Sequence, residues 1–360
     1  MWRAQRFFMA GGQFAPVADG LADPLPEISS SRASGQLYAA LDLGTNNCRL
    51  LVAQRVTGGF RVVDSYSRIV RLGDGLGATG KLSDAAMKRT LDALMTCADK
   101  LRGHQPIRTR CVATQACRAA KNGSAFLRDV ASRTGLRFDI IPASEEARLA
   151  VLGCADLFDA RSEGALVVDI GGGSTELSWA INRGAGRPPK LETWFSAPIG
   201  VVTLAELYPE RPQTRLWYDD MKQGAADLLG AFDPERRVAQ KLHSGAGHII
   251  GTSGAVTSLA SVHLKLARYT RRLVDGIWIS KDDTYAAINL LASQDRNTRA
   301  LNPCIGKERA DLVLAGAAIL DAVLDTWPSG RLRVADRGLR EGLILTMLQK
   351  PKRRPRRSKP

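Results

Sequence analysis

Apolar positions in this chain fall into short strand-length runs followed by longer stretches at helical spacing, and the series comes round twice. Leu37-Tyr38-Ala39-Ala40-Leu41 is a nearly continuous apolar run. Residues 48–56 form a second, and Gly58-Gly59 turns the chain into a third, 60–66. Short apolar runs bounded by turn residues predict buried strands. Arg71 to Gly77 is glycine-rich and predicts a loop. Ser83 and Asp84 then open a helix expected to reach about Arg102, with Met87, Leu91, Leu94, Met95 and Leu101 at helical spacing. A strand at 108–113, a helix at 123–134 and a strand at 138–141 follow. A further helix starts near Ser144, its expected cap, and runs to about Phe158.

The pattern restarts after Arg161-Ser162-Glu163-Gly164, which reads as a hinge. A strand from Ala165, its partner reaching Ala180, and a third strand at 191–196 repeat the opening. Helices are expected at 200–207, 214–232, 255–267, 282–291 and 307–324, with strands at 248–250 and 332–335 and a short last helix. Three consecutive strands and then alternating helices and strands, twice over, predict an α/β protein of two units. The expected organisation is a disordered leader at 1–36, an N-terminal domain at 37–160, a C-terminal domain at 161–349 and a disordered basic tail at 350–360.

Chemistry concentrates where the second unit begins. Val167-Val168-Asp169-Ile170 runs into Gly171, Gly172 and Gly173, then Ser174, Thr175 and Glu176. This predicts a β-hairpin whose turn is almost bare backbone, with glycines free to adopt positive φ and N–H groups accessible to phosphate oxygens. Asp169 and Glu176 would repel phosphate directly, and they make sense with a hard cation such as Mg2+ between. Leu41-Asp42-Leu43-Gly44-Thr45-Asn46-Asn47-Cys48-Arg49-Leu50 repeats this motif, with Asp42 matching Asp169, Gly44 matching Gly171 and Asn47 matching Ser174. A third glycine turn, Gly251-Thr252-Ser253-Gly254, opens a helix and offers another anion site through Ser253 and Gly254. Arg118, just beyond the 108–113 strand, is a candidate phosphate clamp. Glu145 and Glu146 suit the first turn of a helix. The alternative is that one of them, ionised near an ordinary glutamate pKa of about 4.3, activates water.

Composition narrows the partners. The chain has 360 residues and a formal net charge of +15. The tail KPKRRPRRSKP supplies only part of that charge, so the folded body is basic and suits a polyanionic partner. No helix-turn-helix, zinc-ligand or aromatic RNA-binding pattern accompanies it. The six cysteines form no CxxC pair, which predicts buried thiols in a reducing cytoplasm. No apolar run approaches a membrane span.

DLGTNN, ATQACR followed by SEEARL, DIGGGSTE, GTSG and the late GLREG, in this order, resemble the exopolyphosphatase/guanosine pentaphosphatase (Ppx/GppA) family over about 37–348. The resemblance implies duplicated actin/Hsp70/sugar-kinase-like (ribonuclease H-like) domains with the active site in the interdomain cleft. It implies Glu146 as the residue that activates water, with Asp169 and Glu176 at acidic positions linked to catalysis and, together with Asp42, to Mg2+. It also implies phosphate contacts from Asp42, Gly44, Thr45, Asn46, Arg118 and Gly171 to Ser174. The expected activity is Mg2+-dependent release of orthophosphate from inorganic polyphosphate. The alternative is removal of the 5′-phosphate of guanosine pentaphosphate (pppGpp), and a third reading is a non-catalytic binder of either anion. A homodimer is consistent with the family, and the basic tail is a candidate tether for polyanions. Pro142-Ala143 stands where the family usually has Ser-Gly, which takes away one backbone or hydroxyl contact expected beside the base; Asn47-Cys48 stands where it usually has Ser-Phe, and neither departure removes a carboxylate.

Overall fold

The computed structural model describes residues 35–349 apart from 185 and 212–214. The basic tail and almost all of the expected leader therefore lie outside the described residues. The first sheet contains β1 (Leu37–Leu43), β2 (Asn47–Val56), β3 (Gly59–Ile69), β4 (Arg108–Ala113) and β5 (Phe138–Ile140), in the order β3-β2-β1-β4-β5. The second contains β6 (Gly164–Ile170), β7 (Thr175–Ile181), β8 (Lys190–Ala197), β9 (Gly247–Thr252), β10 (Trp278–Ser280) and β11 (Arg331–Ala335), in the order β10-β11-β9-β6-β7-β8. In each sheet the first three strands form an antiparallel meander, and the first pairs in parallel with a later strand. The two sheets are thus one topology used twice, with β10 added antiparallel to β11.

Helix Asp84–His104 begins as expected, with the Ser83 hydroxyl accepting from Ala86 N–H, and buries Leu94, Cys97 and Leu101 against the first sheet. Met95 points outward and is about half exposed. All six cysteines are buried and free. The apolar helix Val313–Thr326 lies in the second lobe's core. Two helices tie the lobes together. The last helix, Leu339–Leu348, packs Leu343, Ile344 and Met347 on the first sheet. Helix Ala143–Gly153 contributes Leu149 to that cluster and Val151 to one on the second sheet. The two helices touch through glycine: a Cβ on Gly342 would stand 2.1 Å from Leu149 O, and one on Gly153 would stand 1.9 Å from Gly338 O.

Several expected boundaries move. Helix Ala143–Gly153 is capped by Pro142 rather than Ser144, and the Pro142 carbonyl accepts from Glu145 and Glu146 N–H. Proline tolerates this position because its missing N–H is not needed at a helix start. The helix stops at Gly153, and Ala155–Leu157 is a separate 3-10 turn. The helix expected at 307–324 begins only at Val313; Gly306, at φ 69, starts a series of turns that carries Arg309 to the cleft. Strand β10 and helix Arg237–His243 have no counterpart in the sequence pattern. A three-residue strand is too short to show alternation, and its pairing with β11 alone defines it.

Candidate active site

The two glycine hairpins meet tip to tip between the lobes. Gly44 N–H donates to Asn47 O at 2.9 Å, and at the equivalent place Gly171 N–H donates to Ser174 O at 2.9 Å. None of Gly44, Gly171, Gly172 or Gly173 adopts positive φ, contrary to the expectation from sequence. Glycine is required here for space. A Cβ on Gly172 would stand 2.9 Å from both Asn46 N and Thr45 Cβ, and one on Gly173 would stand 2.8 Å from Thr45 Oγ1. The third glycine turn joins them: Ser253 opens helix Ser253–His263 at φ 80 and its hydroxyl donates to Ile170 O. A serine at positive φ is backbone strain held by the surrounding structure.

These loops enclose a cavity of about 140 Å³ lined by Asp42, Gly44, Thr45, Asn46, Asp169, Gly171 to Ser174, Ser253, Gly254 and Glu146. Among the candidates from sequence, Arg118 and Glu176 do not line it. Glu176 lies buried behind the second loop and accepts from Ser196 Oγ at 2.8 Å. Arg118 stands behind Glu146: it donates to Glu146 Oε2 at 3.2 Å, to Ile141 O at 2.7 Å and to Gln115 Oε1 at 2.6 Å. Glu145 turns away and pairs with Arg148 at the surface.

Strand register explains the electrostatics. Asp42 lies opposite Arg49 across the first hairpin, and Asp169 lies opposite Glu176 across the second. Equivalent positions therefore carry opposite charges in one lobe and two like charges in the other. Like charges facing across a strand pair are unfavourable. Burial, with Glu176 adding to it and Arg49 opposing it, pushes Asp169 up to about 7. Asp42 is raised by burial against the pull of Arg49 and Arg340. Glu176 is raised by burial, which the Ser196 and Ser174 hydrogen bonds partly offset. Glu146 is pushed well above the ordinary carboxylate range by burial and by Glu176, with Arg118 pulling the other way. The ordinary pKa expected of Glu146 from sequence is thereby corrected: the protein removes water from it and sets other acids nearby.

This donor set suits a hard divalent cation. Carboxylates and hydroxyls predominate, and a 2+ charge would relieve the repulsion among buried acids. Among the described residues, no three acids, histidines or cysteines form a ready-made cage. Mg2+ needs no such cage, because it takes one or two carboxylates and completes its shell with water and substrate phosphates.

Thr114 and Gln115, the polar residues that end the 108–113 strand, reach the cleft as its carboxyl edge implies, whereas sequence reasoning passed over Arg49, Arg309, Arg337 and Arg340. Arg49 was within reach, because the internal repeat places it at the position of Glu176. Arg337 is committed to Asp275, whereas Arg49, Arg309 and Arg340 line the cleft without such a bidentate partner among the described residues. Arg309 had no local signal; only the turns before Val313 bring it to the cleft.

Two copies of one mixed α/β unit, meeting at paired glycine hairpins over buried carboxylates, give the chain the duplicated actin-like fold. The sequence profile of the Ppx/GppA phosphatase family matches residues 51–351, and the chain belongs to that family. It is 31% identical over 317 residues to a guanosine-5′-triphosphate,3′-diphosphate pyrophosphatase of Photobacterium profundum, a match covering 87% of this chain and 60% of that protein. The chain therefore spans about 60% of that relative's length. Among solved structures it is similar to an exopolyphosphatase-like protein, with 28% identity, a TM-score of 0.78 and coverage of 87% of this chain and 98% of that one. It is also similar to the Aquifex aeolicus PPX-GPPA enzyme, with 27% identity, a TM-score of 0.69 and coverage of 86% and 99%. Among the described residues no helix is long and apolar enough to cross a membrane.

Proposed function

We propose that the protein hydrolyses the terminal phosphoanhydride of a polyanionic substrate, with inorganic polyphosphate as the substrate and orthophosphate as product. The observation that carries this reading is Glu146: buried, raised in pKa, held by Arg118, and lining the same cavity as the glycine loops. A raised pKa makes the Glu146 carboxylate, when ionised, a stronger base than a free glutamate. The terminal phosphoryl group sits against the N–H groups of Gly172 to Ser174 and of Thr45 and Asn46, those of Gly44 and Gly171 being used within their own turns. Glu146 takes a proton from water as the water oxygen bonds to phosphorus. The bridging P–O bond breaks on the opposite side, and its electron pair stays on the shortened chain. Positioning and electrostatics dominate such a reaction. Asp169 and Asp42, which line the cavity, would hold Mg2+, with the Glu176 carboxylate adding negative charge from behind, and the ion would neutralise the phosphoryl oxygens. The guanidinium groups of Arg49, Arg309 and Arg340 suit the chain beyond the terminal phosphate.

A second reading, hydrolysis of pppGpp, is favoured by the name of the Photobacterium relative and uses the same site. Phosphate release from polyphosphate, pppGpp and ATP, measured in parallel with Mg2+ and repeated for Glu146→Gln, tests both. Release from polyphosphate that is lost in the variant supports the first reading, and preference for pppGpp supports the second. Binding of either anion without hydrolysis by the unmodified protein would overturn both and leave a non-catalytic binder.

A further inference from the structure

A second cavity, of about 390 Å³, lies behind Glu146 and is lined by Gln115, Arg118, Ala143, Trp194, Phe195 and Ser196, among others. It has room for many waters, each of which takes about 30 Å³ in the liquid. It shares a lining residue with the glycine-lined cavity. Gln115 borders both spaces, Glu146 lines the first, and Arg118, 3.2 Å from Glu146, lines the second. Ser196, on the second cavity's wall, holds Glu176. Both glutamates thus take a hydrogen bond from the wall of this second cavity.

Resting on the hydrolase reading above, the chemistry assigns different roles to the two spaces. Attacking and leaving oxygens stand in line on opposite sides of the phosphorus. Water activated by Glu146 therefore enters from Glu146's side, and the shortened chain extends away from it. Cleaved orthophosphate is then enclosed between the remaining chain and Glu146. To leave through the glycine cleft it must pass a polyanion that repels it. The other way is past Glu146, where Arg118 offers a guanidinium whose present partners are one carboxylate and two neutral oxygens.

We propose that the cavity behind Glu146 is the exit for orthophosphate and the entry for water, with Arg118 as the group that hands the anion across. Phosphate competes with Glu146 for the guanidinium, so departure resets the ion pair that positions the base. The chain can then advance without dissociating, because product and substrate use different openings.

The experiment plugs the exit after folding. Trp194 is 41% exposed at the cavity wall, and the six native cysteines are all buried. Trp194→Cys therefore gives one accessible thiol, to be modified with a bulky aromatic maleimide. Phosphate formed is read from acid-quenched samples, and phosphate released from a fluorescent phosphate-binding protein, with long-chain polyphosphate and Mg2+. Before modification the two traces coincide. After modification the quenched samples show a burst of about one phosphate per site, with release at least tenfold slower and shorter chains accumulating as free intermediates. Coincident traces in the modified protein, with chain length falling as before, would overturn the exit. Absence of hydrolysis in the unmodified protein would instead overturn the hydrolase reading itself.

Discussion

Replacing Asp169 by asparagine should make the cation-free protein more stable at alkaline pH and leave it unchanged in acid. Asp169 is fully buried opposite Glu176, and its pKa stands near 7 against an ordinary 3.8. The folded pKa is the higher of the two, so between about pH 4 and 7 the native state holds a proton that the unfolded chain has released. Stability therefore falls as pH rises through that window, and the full loss is present above about 7. A difference of about three units, at 1.36 kcal/mol each, corresponds to roughly 4 kcal/mol. Relaxation of the neighbouring acids reduces this, so about 2–4 kcal/mol is expected at pH 8. Asparagine keeps the shape and never ionises. Urea unfolding of both proteins in excess chelator at pH 4, 6 and 8 measures the difference. Midpoints that agree at pH 4 and diverge by pH 8 in favour of Asp169→Asn bear out the reasoning. Parallel curves would show that the Asp169 carboxylate is not destabilised by its surroundings, and the charge argument for a cation among these acids would fall with it.

Other perturbations test the scaffold. Arg71→Ala removes a bidentate pair to Asp311, at 2.8 Å for both bonds, that joins the loop under Thr45 and Asn46 to the second lobe. The pair is partly exposed, so a loss of about 1 kcal/mol, or about fivefold in kcat/KM, is expected from steady-state kinetics. Gly342→Ala drives a methyl into the Leu149 carbonyl and should cost about 1–3 kcal/mol in urea unfolding. It should also lower kcat, because it displaces the helix that carries Glu146. Ser196→Ala leaves Glu176 without its 2.8 Å hydroxyl donor, and about 1–3 kcal/mol of lost support should lower kcat and move the alkaline-rising limb of the pH profile upward.

The duplication, the glycine hairpins and the acids at their feet were legible along the chain because each rests on local rules. Apolar runs of strand length become strands, and a carboxylate before consecutive glycines keeps its place beside the turn. Asp42, Asp169 and both loops therefore stand where the pattern put them. The tertiary structure alone decided what these residues face. The glycines proved necessary for the close approach of one hairpin to the other, a contact between segments more than a hundred residues apart in the chain. Arg118 was placed behind Glu146 by a hydrogen-bond network spanning two elements, and Glu176 was turned toward Ser196 by strand pairing. Arg340 reaches Asp42 only because the last helix returns to the first sheet, whereas Arg49 is set opposite Asp42 by the hairpin itself. The pKa shifts followed from the same packing. Burial and like-charge proximity depend on distance in space, which the order of residues along a chain does not carry.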